Sequence, residues 1–204
     1  MLDLLEEKDN ALTTNEILSF SKTIKQEAGD SLLLLDNTLY WSMLQFDEIS
    51  LIIHSLNLKR IIHRNIEKYE RKAKQKRINI KFDCDESQSI QGDEKIIEII
   101  LQNLISNALK YSYEDSSINL KLVRDGQKII FTIENYGVSI DEKAISFLFD
   151  EHHNVATEGT HKEKGTGIGL VVCQKLAEKM GYLIHADVTD ANSTRFIVEI
   201  PVND

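Results

Sequence analysis

Between Thr14 and Gln45 the chain has no proline and a single glycine. Apolar residues fall at Ile17, Phe20, Ile24, Ala28, Leu32, Leu35, Leu39 and Phe46, mostly three or four apart, the spacing that places side chains along one stripe of a helix. Asn15, with Thr13 and Thr14 before it, offers an N-cap. A helix of this length spans about 45 Å, longer than a small domain is wide, so its stripe calls for a second helix, its own or a partner's. The residues upstream, 1–13, are too few to supply that helix in full.

The remainder has ordinary globular composition: 42% of the 204 residues are hydrophobic and 28% charged, enough for one core plus an appendage and outside the fibrous, disordered and disulfide-scaffold classes. The net charge of -9 argues against nucleic-acid binding, which needs a basic face to displace phosphate counterions. An acidic chain can still hold a nucleotide through a metal ion and backbone N–H groups. Cys84 and Cys173 have no CxxC partner, which suggests neither zinc site nor disulfide framework but two thiols in a reducing cytosol. No window approaches the roughly 20 apolar residues of a membrane helix, and the amino end shows no secretory pattern. The single proline, Pro201, excludes an active segment built around an internal proline.

Charge is unevenly placed. Ten of the 24 Lys and Arg lie between positions 56 and 81, where Asn57 would cap a helix running to about Lys76 with Leu58, Ile61, Ile62, Ile66 and Tyr69 as its apolar stripe. The basic island reads as a solvated helix face, with an anionic partner surface as the alternative. Before it, residues 49–54 read as a short strand; after it, Ile78 to Phe82 alternate as a strand should. Helices follow at 93–111, 141–149 and 168–180, and strands near 117–124, 128–134, 182–188 and 194–200. Turn signals at Asp125-Gly126 and Ala191-Asn192 indicate mixed or antiparallel pairing. The expected class is α+β, a mixed sheet with helices on one face, preceded by the long helix.

Three segments carry chemistry. On the helix 93–111, Asn103, Asn107 and Lys110 are spaced four and three and so share a face beside the apolar stripe; two carboxamides and an ammonium there are costly unless they bind something. An amide oxygen is a suitable hard ligand for Mg2+, although amphipathic helices with an asparagine or two are common. Gly165-Thr166-Gly167-Ile168-Gly169-Leu170 leads into a helix, where glycines permit close approach and N–H groups favour phosphate. It fits neither the Rossmann fingerprint nor the Walker loop, and a plain turn is the competing reading. Asn135-Tyr136-Gly137, ending an apolar strand, is a turn former or an acceptor for the exocyclic amine of a purine.

The order of these segments, closed by two strands with Ser193-Thr194, resembles the ATP-binding domain of sensor histidine kinases, within the superfamily that holds the gyrase, Hsp90 and MutL ATPases. The resemblance runs from about Asn57 to Pro201, and the helix through Leu39-Tyr40-Trp41 looks like the second helix of the kinase dimerisation domain. It divides the chain into a remnant of that helical domain, 1–48, and a catalytic domain, 49–204, an α/β sandwich of the Bergerat type. It implies ATP and Mg2+ as cofactors: Asn107 as metal ligand, Asn103 supporting it, and Lys110 and Tyr111 reaching phosphate or ribose. Asn135 would face adenine above Gly137, with Thr194 helping. The backbone of Gly165, Thr166, Gly167, Ile168, Gly169 and Leu170 would cradle the phosphates. Phe147 to Phe149 would anchor a lid over 152–164, from which Lys162 or Lys164 would meet the γ-phosphate. Asn103, Asn107 and Lys110 are thereby the catalytic set. His152, His153 and His161 read as a solvated lid in preference to a metal cluster.

The pattern is departed from at three places: Asn135 stands for the usual Asp, Ser139 for a second glycine, and Tyr182 for a glycine after Gly181. Hydrolysing members carry a water-activating Glu where this chain has Asn103, which lacks a basic lone pair for that role. The implied reaction is transfer of the γ-phosphoryl group to a protein histidine and onward to a response-regulator receiver domain, by positioning and charge neutralisation. None of His54, His63, His152, His153, His161 and His185 precedes the long helix, and residues 1–13 resemble the tail of an acceptor helix. The expectation is therefore a fragment or natural truncation that begins after the acceptor, binds ATP without phosphorylating itself, and dimerises through its amino-terminal helix. It would be cytoplasmic, with no nucleic-acid or membrane contact in this segment. Two other readings are a nucleotide-impaired adaptor on the same fold, and an ATPase or serine-directed kinase of the same superfamily.

Overall fold

Helix α1 spans Thr14–Gln45, and its start is written in a capping box. Thr13 Oγ1 accepts from the Glu16 N–H at 3.3 Å while Glu16 Oε2 accepts from the Thr13 N–H at 2.9 Å. The cap is thus Thr13, one of the residues flanking the expected Asn15, because only Thr13 has the glutamate three residues on. The computed structural model describes residues 13–84, 89–138, 140–151, 158–161, 163, 165, 167–189 and 193–202. By their contacts the residues group into Met1–Asp36 and Asn37–Asp204. In the first group Ile17, Ile24, Ala28, Leu32 and Leu35 of the expected packing stripe are exposed, and Phe20 is half-buried. In the second, Asn37 and Tyr40 are buried, Met43 and Leu44 pack against the core, and Leu39 and Phe46 of the stripe are exposed.

The second group is an α+β sandwich. Its main sheet has five strands in the order β2 (Asn79–Cys84), β4 (Ser117–Asp125), β5 (Lys128–Tyr136), β7 (Ser193–Pro201) and β6 (Leu183–Thr189), with β2 parallel to β4 and every other pair antiparallel. A separate ribbon pairs β1 (His54–Asn57) with β3 (Ser89–Gly92). The strand expected at 49–54 is therefore displaced: only His54 of it joins a ladder. Ile52 donates its N–H to Asp93 Oδ2 at 2.8 Å, a side-chain bond, and leaves its own side chain exposed. Helices α2 (Leu58–Gln75), α3 (Glu94–Tyr111) and α5 (Gly169–Lys179) supply the second layer.

Alternation decides which face of the sheet they cover. Ile118, Leu120 and Leu122 on β4, Ile129, Phe131 and Ile133 on β5, and Phe196, Val198 and Ile200 on β7 are buried, with partly exposed residues between them. Asn57 caps α2 as expected, accepting from the Arg60 N–H at 3.0 Å. The basic island is partly consumed within the fold: Arg64 bridges Glu94 and Glu98 on α3 at 2.5 and 2.6 Å, and Lys68 lies 3.6 Å from Glu98. Helix α4 (Glu142–Ile145) is shorter than the expected 141–149 because the following N–H groups bond three residues back, Phe147 to Ala144 and Leu148 to Ile145, tightening the chain into turns. Helix α5 ends on Gly181 at φ +71, where Gly181 N–H meets Glu178 O and Tyr182 N–H meets Ala177 O, the paired bonds of a Schellman motif. Tyr182 itself is buried, and burial, with the Asp93 carboxylate nearby, pushes its phenol up to about 12.

Candidate functional site

The exit of α3 and the end of β5 are stitched together. Ser112 and Gly137 form an antiparallel bridge, Tyr113 N–H donates to Tyr136 O at 3.0 Å, and Val138 N–H donates to Tyr111 O at 3.0 Å. Gly137 permits this approach, since a Cβ there would overlap the Tyr111 carbonyl. The zipper brings the asparagine helix and the Asn-x-Gly strand end, some thirty residues apart in sequence, to one corner.

Asn135 is 2% exposed and continues the core-facing row of Ile129, Phe131 and Ile133. It pairs in register with Thr194 on β7, itself buried, so the two side chains are neighbours on one face. Asn135 Nδ2 is buried without a hydrogen-bond partner among the described residues. Such a donor costs about 1–3 kcal/mol, and a ligand with a complementary acceptor removes that cost. Behind it, Ser193 Oγ donates to Glu134 Oε1 at 2.6 Å.

The three polar residues of α3 meet different fates. Asn107 is half-buried, and its side chain makes no hydrogen bond among the described residues. Lys110 is buried; its Nζ donates to Tyr111 Oη at 2.8 Å and lies 4.5 Å from the centre of that ring. Asn103 is engaged with a residue that the spacing argument missed. Its amide and that of Asn37 on α1 bond reciprocally, each N–H2 group donating to the other's oxygen at 2.8 Å, and Asn103 Nδ2 also donates to Ile99 O at 3.0 Å. Nothing in α1's pattern separates Asn37 from a solvated asparagine, because its partner lies 66 residues away.

The glycine-rich segment enters α5 with Ile168 at the N-cap, which provides no side-chain oxygen for the first helical N–H groups. Gly167 has φ +72, a conformation side chains rarely adopt. Gly169 serves packing as well: a Cβ there would lie 2.5 Å from Asn103 Oδ1, so the glycine lets α5 close over the asparagine pair. Ile168 and Leu170 pack partly against the core. Phe149, one of the three residues expected to anchor the lid, meets Phe196 edge-on, ring centres 6.3 Å apart. Ser139, Lys162, Lys164, Thr166, His152 and His153 lie outside the described residues, as do 1–12 of the expected acceptor-helix tail. His161 is exposed and its Nε2 lies 2.8 Å from Glu114 Oε1; among the described residues no cluster of acidic, histidine and cysteine side chains forms a metal site. None of the described helices is long and apolar enough to cross a membrane.

The residues present fit a purine nucleotide and a hard cation. Asn135 offers an unfilled polar edge, Asn107 an amide oxygen, Lys110 a cation, and α5 its uncapped N–H groups, all of the chemistry an adenine, a phosphate chain and Mg2+ require.

Residues 92–204 match the model of the histidine kinase-, DNA gyrase B- and HSP90-like ATPase family. The sensor protein BceS of Bacillus subtilis is 31% identical over 173 residues, 83% of this chain and 50% of its own length. The circadian input-output histidine kinase CikA of Synechococcus elongatus is 27% identical over 179 residues, 86% of this chain and 24% of its own. The nucleotide-free catalytic domain of the histidine kinase ThkA superposes with a TM-score of 0.65 at 26% identity, covering 74% of this chain and 95% of that one. The chain thus spans half or less of the length of these two sensor proteins.

Proposed function

Because the chain belongs to the histidine kinase-, DNA gyrase B- and HSP90-like ATPase family, we propose that it is the nucleotide-binding catalytic part of a sensor histidine kinase, delivering the γ-phosphoryl group of ATP to a protein histidine for passage to a receiver domain. The observation that supports this reading is the Ser112–Gly137 zipper, which joins the end of α3, where Lys110 and Tyr111 stand, to the end of β5, where Asn135 pairs in register with Thr194. Residues 49–204 form this catalytic domain, and α1 belongs to a dimerising helical domain, 1–48, whose exposed stripe is completed by a second copy.

Asn135 recognises adenine with both ends of its amide: Oδ1 accepts from the exocyclic amine, and Nδ2 donates to the neighbouring ring nitrogen. A carboxylate has no such donor, so the asparagine is an alternative solution to the same edge. Lys110 and Tyr111 hold phosphate and ribose oxygens, and the backbone of Gly165 to Leu170, with the start of α5, binds the phosphate chain. Lys162 and Lys164 serve the γ-phosphate. Asn107 would hold Mg2+, which when bound neutralises phosphate charge and so favours phosphoryl transfer. Asn103 supports that site as an amide; it cannot activate water as a carboxylate would, and its pairing with Asn37 keeps it in place. Hydrolysis is thereby disfavoured against transfer.

Calorimetric titration with Mg·ATP tests the reading. Saturable binding that Asn107→Ala and Gly167→Ala each weaken at least about tenfold, a loss of about 1.4 kcal/mol, is the expected result. No binding by the unmodified protein would support the adaptor reading, and rapid phosphate release from bound ATP the hydrolase.

A further inference from the structure

Lys76 is an unusual lysine. It stands at the C-cap of α2, within the basic island, yet it is only 4% exposed. Burying an ammonium costs several kcal/mol unless its protons are all bonded. Here Nζ faces four oxygens: Leu109 O at 2.9 Å, Lys110 O at 3.1 Å, Thr160 Oγ1 at 2.8 Å and Glu163 Oε1 at 2.7 Å. Two are carbonyls at the end of α3, where the helix dipole is negative and the last carbonyls lack partners in their own helix. The other two come from the segment before the glycine-rich loop. One cation therefore joins three elements.

The described residues of that segment are bonded to one another and to the end of α3. Gly159 N–H donates to Glu163 O at 2.9 Å, Thr160 N–H to Lys110 O at 3.1 Å, Thr160 Oγ1 to Ser112 O at 2.8 Å, and His161 N–H to Glu163 Oε2 at 2.8 Å. A Cβ at Gly159 would lie 2.6 Å from Lys110 Cγ. Burial alone would push the Glu163 carboxyl up; the Lys76 ammonium and the backbone N–H groups outweigh it and hold the carboxyl below its ordinary range. The glycine-rich segment begins two residues on, at Gly165, and a chain reaches at most about 3.5 Å per residue, so its starting point is tethered within roughly 7 Å of Glu163.

We propose that Lys76 is a positioning residue for the phosphate side of the nucleotide site, pinning Thr160 and Glu163 to the end of α3 that carries Lys110 and Tyr111. The inference rests on the nucleotide-binding reading above. It assigns Lys76, Thr160 and Glu163 a task distinct from adenine recognition: they fix where the glycine-rich segment begins and where the Lys110 backbone stands, and they touch no ligand themselves.

The test compares Mg·ATP with adenosine, which lacks every phosphate, by calorimetry on the whole chain and its Lys76→Met and Glu163→Gln variants. The expected result is Mg·ATP affinity about tenfold lower in Lys76→Met and about threefold lower in Glu163→Gln, with adenosine affinity unchanged within about twofold in both and faster hydrogen exchange at the Thr160 amide. A merely structural lysine would weaken both ligands in parallel, and that result, or an unchanged Mg·ATP affinity in both variants, overturns the inference. Should Lys76→Met not fold, Glu163→Gln, which keeps the shape and removes the charge, decides alone. Absence of Mg·ATP binding by the unmodified chain would overturn the proposed function and the inference with it, whereas binding indifferent to both variants overturns only the inference.

Discussion

Helices α1 (Thr14–Gln45) and α3 (Glu94–Tyr111) are both written with apolar residues three and four apart. Helix α3 buries Ile96, Ile97, Ile100, Leu101, Leu104, Ile105 and Ala108, whereas Ile17, Ile24, Leu32, Leu35 and Leu39 of α1 remain exposed. Spacing states that a helix has an apolar face; it does not state what covers it. For α3 the cover is the sheet, α2 and α5. For α1, most of whose stripe belongs to residues 1–36, the proposal places a second copy there, and a different face of the same helix, through Asn37 and Tyr40, packs within the unit Asn37–Asp204.

The largest contrast is expected from leucine truncations. Leu104→Ala should lower unfolding free energy by about 2–5 kcal/mol, read by denaturant titration, while Leu35→Ala should change it by less than about 0.5 kcal/mol and instead weaken self-association in sedimentation. Equal costs at the two positions would break the comparison. Next in size is the polar contact between these helices. Asn37→Ala leaves the buried Asn103 amide with an unpaired edge and should cost about 1–3 kcal/mol. Asn135→Leu should act in the other direction: removing an orphaned buried donor raises stability of the ligand-free protein by about 1 kcal/mol while abolishing Mg·ATP binding. A variant that loses both stability and binding would show Asn135 to be structural.

The smallest effect is in pH. Glu163 is held below its ordinary value of 4.5, so it binds fewer protons folded than unfolded. Its contribution is fully present above that value and is lost as pH falls through the lower folded one. Glu163→Gln should therefore flatten the acid limb of the stability curve below about pH 4.5 and leave the neutral region almost parallel.

Most of the fold was legible because local chemistry and tertiary outcome agree: Asn57 caps α2, Asp125-Gly126 turns a hairpin, and the alternation of β4 and β5 names their buried face. The strand at 49–54 misled because a run of isoleucines reads the same whether its N–H groups enter a ladder or, as at Ile52, meet the Asp93 carboxylate. In the candidate site, Asn107, Lys110, Asn135 and the glycines are singled out by motif order alone. Asn37 and Lys76 are not, since Asn37 has its partner 66 residues away and Lys76 has partners 33, 34 and 84 residues away, and a lysine within a basic run looks like any solvated one. The sequence assigns Gly169 to phosphate alone; its clearance over Asn103 shows only once α3 and α5 are in place.

The central claim is that a nucleotide sits at the corner where α3 ends beside Asn135. Hydrogen exchange with and without Mg·ATP tests it most directly. The account predicts slowed exchange in peptides containing Lys110–Tyr113, Asn135–Val138 and Gly167–Leu170, with the amino-terminal half of α1 unaffected. Protection confined to other segments, or none at saturating Mg·ATP, would contradict it.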